Sequence, residues 1–537
     1  MNVSPYLLSI ISAILLFFSF PPFHIWPLAW VAFVPYLIGV GKERRENKAI
    51  IASWIFNIWL IPFFLCFAGV THTWHIGGNV IYPFIIVVIY LVLSIYAFVL
   101  VSIWRLRYLP AGLHIFSFSV FWCLFEFAFK NIPLINDFPL VQHLAFSQLK
   151  NIPILQLATI TGTYGVSFLI LFFNCSIAYL LLNWNSKTAK RLLVAVALIT
   201  LTIWIYGYSV LPKPGKEINI TIIQEGNPGC YKNPFSMLLG GNKPKWAPLE
   251  FYDKLTREHV KYNTDIIMWS MVWITPGDHS KEGSWLRKKL VNLSREYNSI
   301  LCISPRNYAP DRIINLLIQP DGRIGEYDMH HPPLFNVLRL FPFLKIPNYP
   351  SPEVGLSYPR YPVFDTKFGI LGMEHCFDTQ FPYITRKLVK KEAKLILYIS
   401  DNTELGVFYK YFEPSNIILR AVENRVGFAS VSGNGISLLV DPYGRVITSS
   451  GLYAQEVLNE NLPLTGKGTF YTHYGDIFGY IIVLLSLLLI FYNFYLKRRG
   501  SFIYCMHCGN KVPKGDKICP DCGKNPKVHI IIRLLKT

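Results

Sequence analysis

Residues 419–446 read LRAVENRVGFASVSGNGISLLVDPYGRV. GFASVSG predicts a short strand closed by glycine. GISLLVDPYGRVI predicts strand chemistry turning on itself at DPYGR, where Asp, Pro and Gly favour a hairpin. Upstream the same signals recur in AKLILYIS (393–400), GILGMEHC (369–376), NLLIQPDGRI (315–324), SILCISP (299–305), DIIMWS (265–270) and EINITIIQEG (217–226). Between them, LEFYDKLTREHVKYN (249–263) and SWLRKKLVNLSREYN (284–298) carry helical spacing. Strands alternating with amphipathic helices predict a layered α/β domain.

That domain does not account for the composition. The 537 residues are 52% hydrophobic and only 15% charged, where a soluble protein usually carries about a quarter charged residues. Apolar runs occur at 5–20, 25–41, 49–69, 79–104, 112–129, 160–183, 192–210 and 476–496. Most approach the ~20 residues that cross a bilayer core. The first run lacks the basic start and small-residue cleavage site of a signal peptide.

Charge placement orients these spans. The connections GKERRENK (41–48), RLR (105–107), NSKTAKR (185–191) and KRR (497–499) hold twelve Lys/Arg. The alternate connections FPPF (20–23), THTWHIGGN (71–79) and 130–159 hold two, Lys130 and Lys150. Eight spans with both termini in the cytoplasm follow from the positive-inside rule. The expected organisation is a seven-span membrane domain (1–210), an extracytoplasmic α/β domain (211–475), an eighth transmembrane helix (476–496) and a basic cytoplasmic tail (497–537). The net charge of +19 partly reflects this topology and the tail, which suits anionic headgroups. No nucleic-acid partner is expected, because no signature beyond charge accompanies it.

Several ordered segments resemble one family, the bacterial apolipoprotein N-acyltransferases. FSFPPFHIWPLAWVAFVPYL (18–37) resembles its opening helical pair, and LQLATITGTYGVSFLILFFN (155–174) its ITGxYGVSFL stretch. DIIMWSMVWITP (265–276) falls at its WPE strand end, GRIGEYDMHHPPLF (322–335) at its YxKxHLVPFGE, and GMEHCFDTQFP (372–382) at its CYExxFP. The stretch 419–446 resembles its helix, strand and hairpin, and THYGDIFGY (472–480) its entry to the last span. The resemblance implies a nitrilase-like (carbon–nitrogen hydrolase) αββα sandwich on an eight-helix membrane base. It also implies transfer of an acyl chain from phospholipid to the N-terminal lipidated cysteine of a lipoprotein, through a cysteine thioester. A glutamate base and a lysine oxyanion stabiliser would assist, with no catalytic cofactor. The expected location is the bacterial inner membrane.

Cys376 occupies the nucleophile position of that motif. Its partners depart from the pattern: Met271 falls at the glutamate position, Met329 at the lysine position, and Val337 at a further glutamate. A thioether carries no titratable proton and no charge, whereas a free thiol needs a base or cation to supply thiolate. Candidate compensators are Glu374, which shares a strand face with Cys376 at i,i+2, and His330, one residue beyond the lysine position. His330 and its neighbour His331 read equally as loop or surface histidines. The arm LFNVLRLFPFLKIPNYP (334–350) reads either as a lipid-contacting lid or as packing.

The tail CMHCGNKVPKGDKICPDCG (505–523) spaces Cys505, Cys508, Cys519 and Cys522 as C-x2-C-x10-C-x2-C. Four thiolates so spaced suit a structural Zn²⁺ ribbon. A disulfide pair is the alternative, and a reducing cytoplasm disfavours it. The ribbon either caps the chain or docks a cytoplasmic protein partner. The expected function is therefore the family's acyl transfer, reduced or lost. The alternative is a catalytically inactive pseudoenzyme that binds lipid or lipoprotein and signals or docks through the ribbon.

Overall fold

The computed structural model describes residues 3–43, 46–60, 109, 111–132, 143–211, 216–226, 247–261, 263–273, 285–306, 312–331, 361–403, 406–499, 502–504, 511–513, 518, 519 and 523. The expected span 79–104, the second half of 49–69, the arm 334–350, Val337, and Cys505, Cys508 and Cys522 lie outside the described residues.

The N-terminal part is helical: α1 Pro5–Ser19, α2 Val34–Lys42, α3 Glu46–Phe56, α4 Ala111–Asn131, α5 Thr163–Leu182 and α6 Lys187–Ser209. The run 25–41 is not one helix. It breaks into a 3-10 turn, Trp26–Trp30, and α2, each with a proline at its start. Proline lacks the N–H that a continuous helix needs and sterically favours a first-turn position. Among the described residues, three helices are long and apolar enough to cross a bilayer: Thr163–Leu182, Lys187–Ser209 and Ile477–Leu496. The eight spans expected from the sequence are not reached there. On α6, Leu198 and Ile205 are more than half exposed, an outward apolar surface suited to acyl chains.

Residues 217–463 build two sheets. The first has the order β13-β1-β3-β4-β5-β6, with β2 beside β3. Its strands are β1 Glu217–Gln224, β2 Ala247–Pro248, β3 Ile266–Trp273, β4 Ile300–Arg306, β5 Ile314–Ile318, β6 Ile324–Asp328 and β13 Glu456–Pro463. The second has the order β12-β11-β10-β9-β8-β7. It comprises β7 Val363–Thr366, β8 Gly369–His375, β9 Leu395–Ser400, β10 Gly427–Ser432, β11 Leu438–Val440 and β12 Val446–Ser449. Every strand expected from the sequence is present.

The sheets pack face to face through Ile220, Ile222, Met268, Cys302, Leu371, Met373, Leu397 and Val431, all fully buried. Fully burying such a side chain contributes roughly 1.5–3 kcal/mol each. The outer face of the first sheet is covered by α7 Leu249–His259 and α8 Trp285–Tyr297, through Tyr252, Leu255 and Leu290 against Ile267 and Trp269. The outer face of the second is covered by α9 Pro382–Lys390 and α10 Val407–Asn424. The layering is helix–sheet–sheet–helix, as the resemblance implied. α11 Ile477–Arg499 then leads to a small hairpin, β14 Phe502–Tyr504 with β15 Lys511–Pro513.

α10 also faces the N-terminal helices. Phe412 packs 6.3 Å from the ring of Phe20 and 6.5 Å from that of Phe146. Gln156 Nε2 donates to Tyr443 O at 3.0 Å. α10 and the β11–β12 turn are thereby tied to the N-terminal part of the chain.

Close packing within that part rests on Gly207 of α6, where a Cβ would meet Pro153 O at 2.0 Å. Gly207→Ala must push α6 off the turn at 152–155. The expected cost is about 1–3 kcal/mol, measured as a lower unfolding midpoint in nanodiscs.

Candidate active site

β8 ends at His375, and a 3-10 turn, Cys376–Gln380, follows at once. Cys376 itself has φ 45°, in the left-handed region. For a side chain with a Cβ this costs roughly 1–2 kcal/mol. A sharp turn after a strand is how a nucleophile is projected from a sheet edge. Asp378 holds the turn. Its buried carboxylate accepts from Tyr327 Oη at 2.8 Å, His331 N at 3.0 Å, His330 N at 3.1 Å and His375 N at 3.3 Å. One side chain thus binds the end of β6 and the segment after it to the start of the turn. Burial pushes the Asp378 pKa upward, while His330 and the donors pull it down.

Cys376 is partly exposed and packs on a small apolar cluster of Met329, Phe377 and Tyr409, with Ile313 and Phe408 beside it. Burial pushes its thiol pKa well above the usual value. Glu413, Asp401 and Asp378 push it further, and Arg306 opposes them. Met271, on β3, is 1% exposed. Arg306, the last residue of β4, directs Nε at Met271 Sδ from 3.1 Å. Met329 therefore shares the apolar cluster of the cysteine, and Met271 meets Arg306.

Glu374 does not follow the strand-face expectation. Its carboxyl is fully buried and accepts from Thr385 Oγ1 of α9 at 2.5 Å, while Oε2 has no hydrogen-bond partner. The i,i+2 rule fails because the strand ends at His375 and the φ of Cys376 redirects the chain. Burial pushes the Glu374 pKa to about 8. His330 is likewise engaged: Nε2 accepts from Tyr361 N at 3.0 Å, and the ring stacks on Tyr361 at 4.6 Å. His331 stacks on Phe381 at 4.1 Å and bonds the Tyr383 hydroxyl. His375 Nδ1 donates to Asn315 Oδ1 at 2.7 Å, and burial then Arg306 hold its pKa well below the usual value.

Sequence reasoning missed Asp378, Arg306, Tyr398, Asp401, Glu413 and Glu225. Tyr398 Oη lies 2.8 Å from Cys376 O and 2.5 Å from Glu413 Oε1. Glu225, just after β1, is pushed to about 7 by burial and then by Asp401. Two signals were legible. Asp378 lies inside the quoted motif, and Arg306 is a charge closing a buried strand. Glu413 lies within a helix, and only packing brings it to the turn.

The folded chain retains the Glu374 proton between about pH 4.5, its ordinary value, and about 8. The stability linked to it is complete below that range and is lost as pH rises through about 8. Glu374→Gln keeps the shape without the ionisation. The variant should match the parent near about pH 5 and exceed it near about pH 9 in thermal unfolding, both set by that linkage.

Comparison with known proteins follows the same division of the chain. Residues 12–176 match the model of the apolipoprotein N-acyltransferase N-terminal domain, and residues 241–466 match that of carbon–nitrogen hydrolase. An apolipoprotein N-acyltransferase of Geobacter metallireducens is 27% identical, over 89% of this chain and 93% of its own length. One of Chlorobaculum tepidum is 22% identical, over 88% and 93%. Among solved structures, Saccharomyces cerevisiae Nit3, a member of branch 10 of the nitrilase superfamily, overlays with TM-score 0.34 at 18% identity, over 46% of this chain and 90% of its own. With an acyltransferase N-terminal domain followed by a carbon–nitrogen hydrolase domain, and with relatives matched along most of its length, this chain belongs to the apolipoprotein N-acyltransferase family.

Proposed function

We propose that the protein is an N-acyltransferase of the bacterial inner membrane that works through a Cys376 thioester more slowly than a glutamate–lysine site would allow. The acyl donor is a phospholipid, and the acceptor is the amino group of a lipoprotein's lipidated cysteine. The nitrilase-like domain stands outside the membrane and both termini inside. The observation that carries this reading is the strained φ of Cys376, held by Asp378. Backbone strain at a residue of the right chemistry is a mark of function.

Met271 and Met329 stand in the proposed base and cation positions. Losing a positioned base costs about 10²–10⁴-fold, and losing an oxyanion stabiliser about 10²–10³-fold. The losses are not additive where residues act as a unit. A second reading, an inactive lipid- or lipoprotein-binding pseudoenzyme, draws on the raised thiol pKa and the apolar cluster of Met329, Phe377 and Tyr409.

Incubation with phospholipid and a diacylated lipopeptide, followed by mass spectrometry, separates the two. Acyl transfer predicts a thioester on Cys376 and an N-acylated product, both absent in Cys376→Ala. If bound lipid is retained but neither species forms at any enzyme concentration, the pseudoenzyme reading stands. Met271→Glu with Met329→Lys should raise turnover.

We further propose that Cys505, Cys508, Cys519 and Cys522 hold a structural Zn²⁺ and that the ribbon docks a cytoplasmic protein. The β14–β15 strand pair brackets Cys505 and Cys508 in sequence, Cys519 is buried, and Gly523 N donates to Cys519 O at 2.9 Å. Four thiolates at this spacing suit tetrahedral ligation. The purified protein should carry zinc at about one ion per chain, set by the four-thiolate site, and Cys519→Ser should lose it while the rest of the chain stays folded.

A further inference from the structure

Two carboxyl groups meet where strands of both sheets end. β8 pairs with β9 up to His375 opposite Ile399, so Cys376 and Asp401 leave neighbouring strands just beyond that pair. β1 pairs with β3 up to Ile223 opposite Trp269, and Glu225 follows β1 as Met271 follows that tryptophan. Gly433, just beyond β10, stands between the two acids. Glu225 Oε1 and Asp401 Oδ1 each lie 3.2 Å from the position that a Cβ on Gly433 would take. Gly433 N donates to Ser400 O at 3.1 Å, which fixes the glycine there. The absent side chain lets the two carboxyls face each other.

Glu225 is 4% exposed, and its Oε1 has no hydrogen-bond partner. Its Oε2 is engaged, accepting from Tyr252 Oη at 2.7 Å and Ala247 N at 2.9 Å. Tyr252 Oη also lies 3.3 Å from Met271 O. Asp401 Oδ1 accepts from Thr403 N at 2.9 Å and from the Thr403 hydroxyl. On its other side, Asn402 Nδ2 donates to Glu413 Oε2, and Tyr398 Oη joins Glu413 Oε1 to the Cys376 carbonyl. The acid pair is thus connected by hydrogen bonds to the turn that carries the cysteine.

A buried carboxyl oxygen with no donor calls for an explanation, and a second carboxylate beside it adds repulsion. A cation between them relieves both. We propose that Glu225 and Asp401 bind the ammonium group of the acyl acceptor. The assignment rests on the acyl-transfer reading and names the residues that recognise its second substrate.

The donor set selects the kind of cation. A hard divalent ion needs about six oxygens, whereas Glu225 Oε2 is already engaged and Asp401 Oδ1 already accepts from Thr403. A primary ammonium is compact and brings its own three N–H donors, so Oε1 and Oδ1 suffice as its charged acceptors. An α-amino group is largely protonated at neutral pH. Burial, then Asp401, pushes Glu225 to about 7, and an arriving positive charge favours its ionised form. An N-acylated product carries no ammonium, so the pair holds the acceptor and lets the product go.

The test measures binding of a diacylated lipopeptide to the full-length protein in nanodiscs of ether-linked phospholipid, which has no ester to donate. The same lipopeptide with an acetylated N-terminus is the control. The parent should bind the free-amine form about 10-fold more tightly, the effect of one hydrogen bond to a charged group. Glu225→Gln and Asp401→Asn should each remove that preference and leave the acetylated form's affinity unchanged, at parental unfolding midpoints. Equal affinities in the parent, or a preference that survives both folded variants, overturn the assignment. Mg²⁺ or Ca²⁺ that binds without lipopeptide and is lost in both variants overturns it in favour of a metal. A preference that behaves as stated, with no N-acylated product in ester-linked nanodiscs, supports the ammonium site and overturns the acyl-transfer reading instead.

Discussion

The carboxylate of Asp378 is the contact on which the site depends. It accepts from the N–H groups of His330, His331 and His375 and from the hydroxyl of Tyr327. Those donors come from two different sheets. Without the carboxylate they would be buried donors with no acceptor, each costing about 1–3 kcal/mol. With it, the turn that begins at Cys376 is attached to the end of β6, and the unfavourable φ of the cysteine is sustained. The strain is local, and the hydrogen bonds that offset it are shared across the sandwich.

Around that turn the chain balances charges differently from a glutamate–lysine pair. Glu374, Asp378, Glu413 and Glu225 are buried carboxyls with raised pKa values, and Arg306 is the cation that opposes their effect on the thiol. Desolvation is the first cause in every case. A corner so rich in protonatable acids stays close to neutral when dry, which avoids the cost of unpaired buried charge.

Much of the fold was legible because it depends on local signals. Apolar runs such as AKLILYIS and punctuation such as DPYGR became β9 and the β11–β12 hairpin. The same local logic, taken more seriously, would have divided 25–41 at Pro27 and Pro35. The site was legible only in part. Cys376, Met271 and Met329 were named by motif position. Glu374 was chosen by strand alternation, which holds up to His375 and no further, and the chain turns its carboxyl to Thr385 instead.

The sequence by itself determined the strands, the amphipathic helices, the family and the position of the cysteine. These follow from short-range periodicity and from residues a few places apart. Only the tertiary structure decided which charges face the thiol. Arg306 is 70 residues before Cys376 by numbering and Glu413 37 after it, and no local period relates them. They act on one thiol because two sheets pack face to face and a helix covers one of them. That packing is set by the burial of side chains such as Ile222, Met268 and Leu397, none of which takes part in the chemistry.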